Sequence, residues 1–299
     1  MIDFVQTTVD GAMVGCSYGL LAIGFTLIFG VIRRLNLSYG PSIMVGAYLG
    51  TFLYVQLGAG PLVVAVAVVA GAAIAGIYVE RLCFAPMKGG AGVASMVSSF
   101  AIWMQLEQAM ILVLPRHTYA FPALATGEPW SFGPFTLRPD QLLMLALAIA
   151  TGVIVQLIIY RTRFGMGLRL VTSNQTAAHL VGVNVRNVLI GAFALASAVG
   201  GFAGFLVLAI DQQVTPMFGM WATIKGLIAM MIGGLGSVPG AIVGGLALGI
   251  IEVHAQTLLG PQGRDLTAYL LLFLCLVLRP GGLLGKAPLP EGMIPGRSA

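Results

Sequence analysis

Residues 11–32 read GAMVGCSYGLLAIGFTLIFGVI, a run without a single charge. About 20 mostly apolar residues suffice for a helix to cross a bilayer, so this stretch predicts a span over Gly11–Ile32. Gly11, Gly15 and Gly19 recur every four residues within it. That spacing lays a flat strip along one helix face, where a second backbone can approach closely.

The same reading continues along the chain. Asn36–Leu57, Leu62–Val79, Val93–Leu114, Gln141–Tyr160 and Val188–Ile210 are further candidate spans. Phe218–Leu235, Val238–Leu259 and Leu266–Leu278 follow. The Phe218 span contains Lys225 and several glycines, and the last span is short. Turn chemistry marks the joints at Gly58–Pro61, Gly236–Gly240 and Gly260-Pro261. The expected fold is all-α, a polytopic transmembrane helical bundle of about eight to nine spans. It forms one transmembrane domain over residues 1–299.

Composition agrees. Charged residues are 8% of the 299 and apolar residues 58%, with a mean hydropathy of +0.97. Such a chain cannot clothe a soluble globule in polar side chains. A soluble enzyme, a disordered tail and a secreted disulfide scaffold are excluded. A transmembrane barrel would alternate over ~10-residue segments, whereas these apolar runs are continuous. Cys16, Cys83 and Cys275 are odd in number and lie in or beside apolar runs, so they read as packing residues.

The charges orient the bundle. Alternating the sides puts Arg33, Arg34, Arg81, Lys88, Arg161, Arg163, Arg169, Arg186, Arg279, Lys286 and Arg297 together, with only Glu80 and Glu291 against them. The opposite side holds Arg116, Arg138 and Arg264 with Asp3, Asp10, Glu128, Asp140, Asp211 and Asp265. Lys and Arg mark the cytoplasmic side. The N-terminus is therefore expected outside and the C-terminus in the cytoplasm. Asp3 and Asp10, with no basic residue near them, argue against a cleaved signal peptide. Two connections are long: an outer one over Pro115–Asp140 and an inner one over Arg161–Asn187 with four arginines.

Glycine pairs also recur at Gly46/Gly50, Gly200/Gly204, Gly240/Gly244 and Gly245/Gly249. They fit helix packing within the bundle first, with a strip facing a second subunit as the sharper alternative. Residues Gly233–Ala241 look superficially like a nucleotide fingerprint. No strand precedes them and no ribose-binding acid follows, so dinucleotide binding is rejected. A broken helix end lining a cavity and a tight turn both remain open.

Glu107, Lys225 and Glu252 fall inside spans. A charge there faces the bundle interior or water, because lipid exposure costs several kcal/mol. Glu107 and Glu252 read as translocation-pathway groups or as members of interhelical polar pairs. Gln105 and Gln108 are placed to share hydrogen bonds with Glu107. Asn36, Ser38 and Tyr39 open the second span as a cap or as cavity lining. His117, His179 and His254 form no ligand constellation, so no metal and no cofactor is expected. No G-x-x-x-x-G-K-[ST] occurs, nor any Ser-His-Asp or Cys-His grouping. The chain reads as a transport subunit rather than an enzyme, with no nucleic-acid role.

Several ordered segments then resemble one family. They are Tyr18–Gly24 with Phe29-Gly30, Leu35–Gly40, Gly46-Ala47-Tyr48 and Glu80–Met87. They continue with Ala177–Val185, Gly233–Ala241 followed by Glu252, and Arg279–Gly285. Together they resemble the LivH-type permease of high-affinity branched-chain amino acid ABC importers. Tyr39 stands where that family usually has histidine. The resemblance implies the ABC importer permease fold and transport into the cytoplasm by alternating access. It implies a second permease subunit of the LivM type, two cytoplasmic ATPases and a periplasmic substrate-binding protein. It places the chain in the bacterial inner membrane. Within residues 161–187 it implies a short coupling helix over Ser173–Gly182, seated in a groove of the ATPase. Ser173, Asn174, Ala177, Ala178 and Gly182 would form it, with Arg169 and Arg186 as anchors.

Three other readings compete. A proton-coupled transporter would use Glu107 and Glu252. An ABC permease of the same build would carry urea or short amides. A passive channel for small neutral solutes would use the glycine-rich turns.

Overall fold

The computed structural model describes residues 2–87, 92–114, 118–124, 130–132, 135–279 and 281–285. Lys88, Arg116, His117, Glu128, Lys286, Glu291 and Arg297 lie outside the described residues. The helices are α1 (Ile2–Ile32), α2 (Tyr39–Leu57), α3 (Pro61–Val79), α4 (Gly92–Val113), α5 (Pro139–Arg161) and α6 (Arg163–Ser173). They continue with α7 (Gln175–Leu180), α8 (Val185–Asp211), α9 (Phe218–Gly233), α10 (Val238–Leu259) and α11 (Pro261–Leu278). A π-helical turn, Glu80–Phe84, prolongs α3.

Seven helices are long and apolar enough to cross a membrane: α1, α3 with its π turn, α4, α5, α8, α10 and α11. The other two expected spans are also helical. α9 has only 16 residues, and α2 carries Tyr39, Ser42, Tyr48, Thr51 and Tyr54. Both lie largely inside the bundle, where neighbouring helices rather than lipid surround them. α1 begins before Gly11 because its polar first turns satisfy themselves. Thr7 and Thr8 donate to the carbonyls of Asp3 and Phe4, and Gln6 donates to Asp10. α11 begins at Pro261 rather than Leu266. Proline opens α3, α5 and α11 at a position where its missing N–H costs no helical bond.

α1 is the axial helix, with 78% of its most apolar window buried, against 6% for α4. It packs on α10, α8, α9 and α5. The α1–α10 contact is made by glycine. A Cβ at Gly11 would lie 2.7 Å from Ile250 Cα, and one at Gly15 would lie 2.8 Å from Leu246 Cα. Gly245 and Gly249 sit against the backbones of Gly19 and Gly15 in return. Gly240 and Gly244, one face round on α10, meet α9 at Gly233 and Ala229. Both strips therefore join helices of this chain. Replacing Gly245 by valine is expected to abolish the folded, monodisperse peak in detergent chromatography. Gly30, with nothing within 4 Å of an added Cβ, is the control. Gly30→Ala should gain about 0.5–1 kcal/mol from higher helix propensity.

The segment Gly233–Ala241 is a tight turn. Gly234 and Gly236 have φ of +116° and +78°, conformations that glycine adopts freely. The N–H groups of Leu283 and Leu284 donate to the carbonyls of Ile232 and Gly233 at 2.8 and 2.9 Å. The turn at 281–285 thus satisfies carbonyls that the end of α9 leaves open.

Four short strands cluster with the outer connection. β1 (Tyr119–Ala120) pairs antiparallel with β4 (Gln213–Val214), and β2 (Trp130–Phe132) with β3 (Phe135–Leu137).

Candidate functional site

Two arrangements stand out, one inside the bundle and one at its arginine-rich end. The first joins four helices. Lys225 Nζ on α9 lies 2.7 Å from Glu252 Oε1 on α10 and 2.8 Å from Asp265 Oδ1 on α11. Arg264 Nε donates to Glu252 Oε2 at 3.0 Å, and Tyr18 OH of α1 donates to the same oxygen at 2.9 Å. Arg264 Nη2 donates to Tyr18 OH. Glu252 is fully buried, and both its carboxylate oxygens are paired. Lys225 is buried as well, whereas Asp265 is exposed. The net result is a neutral cluster that can sit in low dielectric. Trp221 stacks on Phe218 and meets Tyr18 edge-on beside it. The sequence singled out Lys225 and Glu252 but left Arg264 and Asp265 among the outer charges. The readable signal was that the pair opens the last span, close to Glu252.

Beside this cluster lies a cavity of about 170 Å³ with Tyr18, Asp211, Trp221 and Arg264 on its wall. Asn36, Tyr39 and Glu107, expected as pathway residues, line neither this cavity nor the one described next. Asn36 is buried, and its Oδ1 accepts from Ser38 N at 3.0 Å. Ser38 donates to the Ser99 carbonyl, and Leu37 N donates to Ser99 Oγ, which ties the start of α2 to α4. Tyr39 is fully buried. Its ring meets Phe25 edge-on and fills a slot beside Gly24 and Gly200. These two residues build the core. Glu107 sits half-buried on α4, the least covered spanning helix, and accepts from Trp103 Nε1 at 2.7 Å. Gln105 instead accepts from Tyr78 OH at 3.2 Å.

The Tyr39 slot is tight enough to test. A Cβ at Gly200 would lie 2.7 Å from both Tyr39 Cζ and Ile43 Cδ1. Gly200→Ala is expected to cost about 1–3 kcal/mol by overpacking. Adding Tyr39→Leu should return part of that loss, read as a non-additive double-mutant cycle in thermal unfolding.

The second arrangement is built around α7. Asn174 caps it, its side chain accepting from Ala177 N at 3.0 Å. Gly182, at φ +83°, turns the chain away after it. Gln175 Nε2 donates to Val31 O at 3.3 Å, tethering α7 to the end of α1. Ala178 is buried against the bundle, so its small side chain serves this seat and presents nothing outward. The outward face is Thr176, Ala177, Leu180 and Val181, with Leu180 84% exposed. Ser173 is exposed and folds back onto the Leu170 carbonyl. The Arg169 guanidinium lies 5.2 Å from the Tyr160 ring centroid, a cation–π distance.

Gln175, His179, Gly182 and Arg186 border a cleft of about 1140 Å³ with Arg34, Glu80 and Arg81. Glu80 is 2% exposed, and its Oε2 has no hydrogen-bond partner among the described residues. It belongs to the π turn, a local geometry frequent at functional sites. Sequence reading placed Glu80 at the head of the Glu80–Met87 segment but gave it no role of its own, because one acid among many arginines reads as an ordinary surface charge.

The family profile described as "Branched-chain amino acid transport system / permease component" matches residues 7–278. The chain belongs to this family. The branched-chain permease BraD of Pseudomonas aeruginosa is 30% identical, over 95% of this chain and 96% of its own length. The LivH permease protein of Escherichia coli K12 is 27% identical over the same shares. Both are described as permease proteins of high-affinity branched-chain amino acid transport systems. Among solved structures, an inward-facing ABC transporter described as metal-chelate type aligns with a TM-score of 0.53 at 15% identity. It covers 91% of this chain and 86% of that one. At that identity the likeness concerns fold alone, and the fold is that of an ABC transporter permease. As a branched-chain permease family member with seven membrane-capable helices, the chain is a multi-pass membrane protein.

Proposed function

We propose that this chain is one permease subunit of an ATP-driven importer that carries branched-chain or similar small amino acids into the cytoplasm. The family match over nearly the whole chain carries the reading. The chain's own chemistry supports it. No phosphate-binding loop occurs, so hydrolysis belongs to separate ATPases. A second permease of the LivM type completes the pore, and a periplasmic binding protein delivers the cargo.

The arginine-rich end faces the cytoplasm in this reading, and the N-terminus faces the periplasm of the inner membrane. The support is the lysine and arginine bias together with the grouping of Arg34, Arg81 and Arg186 around one cleft. α7 is the coupling helix, and Leu180, Val181, Thr176 and Ala177 are its docking face. The adjoining cleft, bordered by Arg34, Arg81 and Arg186, receives part of the ATPase surface. Closure of the ATPase dimer shifts α7. The Gln175–Val31 bond passes the shift to α1, which is the axis of the bundle. The outcome is a bias between inward and outward states, with no bond chemistry in this chain. Glu252 is held by two cations and a phenol, which suits a structural hub and not a proton carrier.

Co-expression with the separately encoded ATPases and second permease tests the assembly. A tagged copy of this chain should retain both through detergent purification. Purification as a homomer that transports amino acids without an ATPase would overturn the reading.

A further inference from the structure

The cavity beside the charged cluster has the chemistry of a ligand site. It lies where α8 ends and α11 begins, at the end of the bundle away from α7. Arg264 contributes its guanidinium to the wall. Its Nε is committed to Glu252 and its Nη2 to Tyr18, while Nη1 makes no hydrogen bond among the described residues. A guanidinium offers five N–H donors, so donors remain for a ligand. The two bonds already made hold the group in place before anything arrives. Asp211 lies on the same wall and forms no ion pair or hydrogen bond through its carboxylate among the described residues. The rest of the wall is mainly apolar, with Val14, Met144, Val207, Ile210 and Trp221, and Ser17, whose hydroxyl donates to the Val14 carbonyl. The cavity is partly open and holds about 170 Å³, below the roughly 300–1,000 Å³ of sites for drug-sized ligands. The occupant is therefore a single small molecule.

One ligand class satisfies all three features. A carboxylate suits the fixed guanidinium, an ammonium suits the unpaired acid, and an aliphatic chain suits the apolar wall. We propose that this cavity is a binding subsite for a small zwitterionic α-amino acid. Arg264 receives the α-carboxylate, Asp211 the α-ammonium, and Met144, Val207, Ile210 and Trp221 the side chain. A charge pair read by two fixed groups gives selectivity for the zwitterion. The apolar wall alone discriminates only weakly between aliphatic side chains. The proposal rests on the amino acid importer reading and adds where within this subunit the cargo is held. Opening at the end proposed to face the periplasm, the subsite receives cargo from the binding protein.

Thiol protection in the intact complex tests it. Cys16, Cys83 and Cys275 are replaced by alanine, and Ile210→Cys puts one thiol on the cavity wall. The thiol is labelled with a small thiosulfonate in membranes. At L-leucine about ten times the dissociation constant, labelling should slow about tenfold, because only the unliganded fraction reacts. Neither 4-methylpentanoate, which lacks the ammonium, nor 3-methylbutylamine, which lacks the carboxylate, should protect at that concentration. Asp211→Asn, a change at an exposed carboxylate, should remove the protection by leucine. Equal protection by the amine alone would overturn the proposal in favour of a simple cation site. Unprotected labelling in a complex that still takes up leucine with ATP would overturn the subsite and leave the importer reading standing. A complex that takes up no amino acid would instead count against the importer reading, and the subsite would fall with it.

Discussion

Replacing Glu252 by alanine should destabilise the folded chain by about 3–5 kcal/mol, the usual cost of stripping one partner from a buried ion pair. The reason is geometric. Glu252 is the acceptor shared by Lys225, Arg264 and Tyr18, and it is fully buried. Its removal leaves the Lys225 ammonium dependent on Asp265, which is 59% exposed and well hydrated. Asp265→Asn should cost only about 0–1 kcal/mol, because solvent already screens that carboxylate. Combining Lys225→Met with Glu252→Gln should recover part of the alanine loss, since neither an ammonium nor a carboxylate is then left buried alone. Thermal unfolding in detergent distinguishes these cases. A chain with Glu252→Ala that melts at the unmodified temperature, or an Asp265→Asn chain that loses as much stability as Glu252→Ala, would show that the cluster is not held as described.

The second large effect falls on α7. Leu180 and Val181 are 84% and 72% exposed at the end of a membrane protein that is otherwise rich in arginine. Exposed apolar groups next to a charged cleft mark an interaction surface. Leu180→Asp should therefore leave insertion and folding intact and abolish retention of the ATPase. Loss of a central apolar anchor costs about 2–4 kcal/mol of binding, roughly 30- to 1,000-fold in affinity. ATP-dependent uptake should fall in step. Leu180→Met should behave as the unmodified chain, and Ala177→Arg should fail as Leu180→Asp does. Ala178→Arg differs, because Ala178 is buried against the bundle. It should lower the yield of folded permease as well as the binding. Normal ATPase retention by Leu180→Asp would remove α7 from the interface.

Helix positions were legible because membrane helices announce themselves by length and apolarity. The expected spans from Gly11–Ile32 to Leu266–Leu278 each coincide with a helix. What hydropathy misjudged were the ends, at α1 and α11. At α1 the polar side chains find partners within one or two turns, and at α11 Arg264 and Asp265 find theirs on other helices; a count of apolar residues cannot see either. It also cannot tell lipid from protein. α2 and α9 are buried, and a helix surrounded by other helices tolerates tyrosine, threonine and lysine that lipid would not.

Pairing across helices was less legible. A four-residue glycine spacing identifies a strip without naming its partner. Gly240/Gly244 and Gly245/Gly249 lie side by side in sequence and yet face α9 and α1 respectively. The Lys225–Glu252–Arg264–Asp265 cluster joins positions 12 to 40 residues apart, and no periodicity encodes such a match. Asn36 and Tyr39 read equally as a helix cap or as cavity lining. Packing shows Asn36 accepting from Ser38 N and Tyr39 filling the Gly24–Gly200 slot. Position along the chain located these residues, and only packing assigned their work.

Uptake into proteoliposomes tests the central claim most directly. The vesicles hold this chain with its second permease and ATPases, and the binding protein and labelled L-leucine are supplied at the face opposite α7. Accumulation should require ATP at the α7 face and should continue when an ionophore collapses the proton gradient. Leucine uptake by this chain alone without ATP, or uptake with ATP present that stops with the ionophore, would contradict the account.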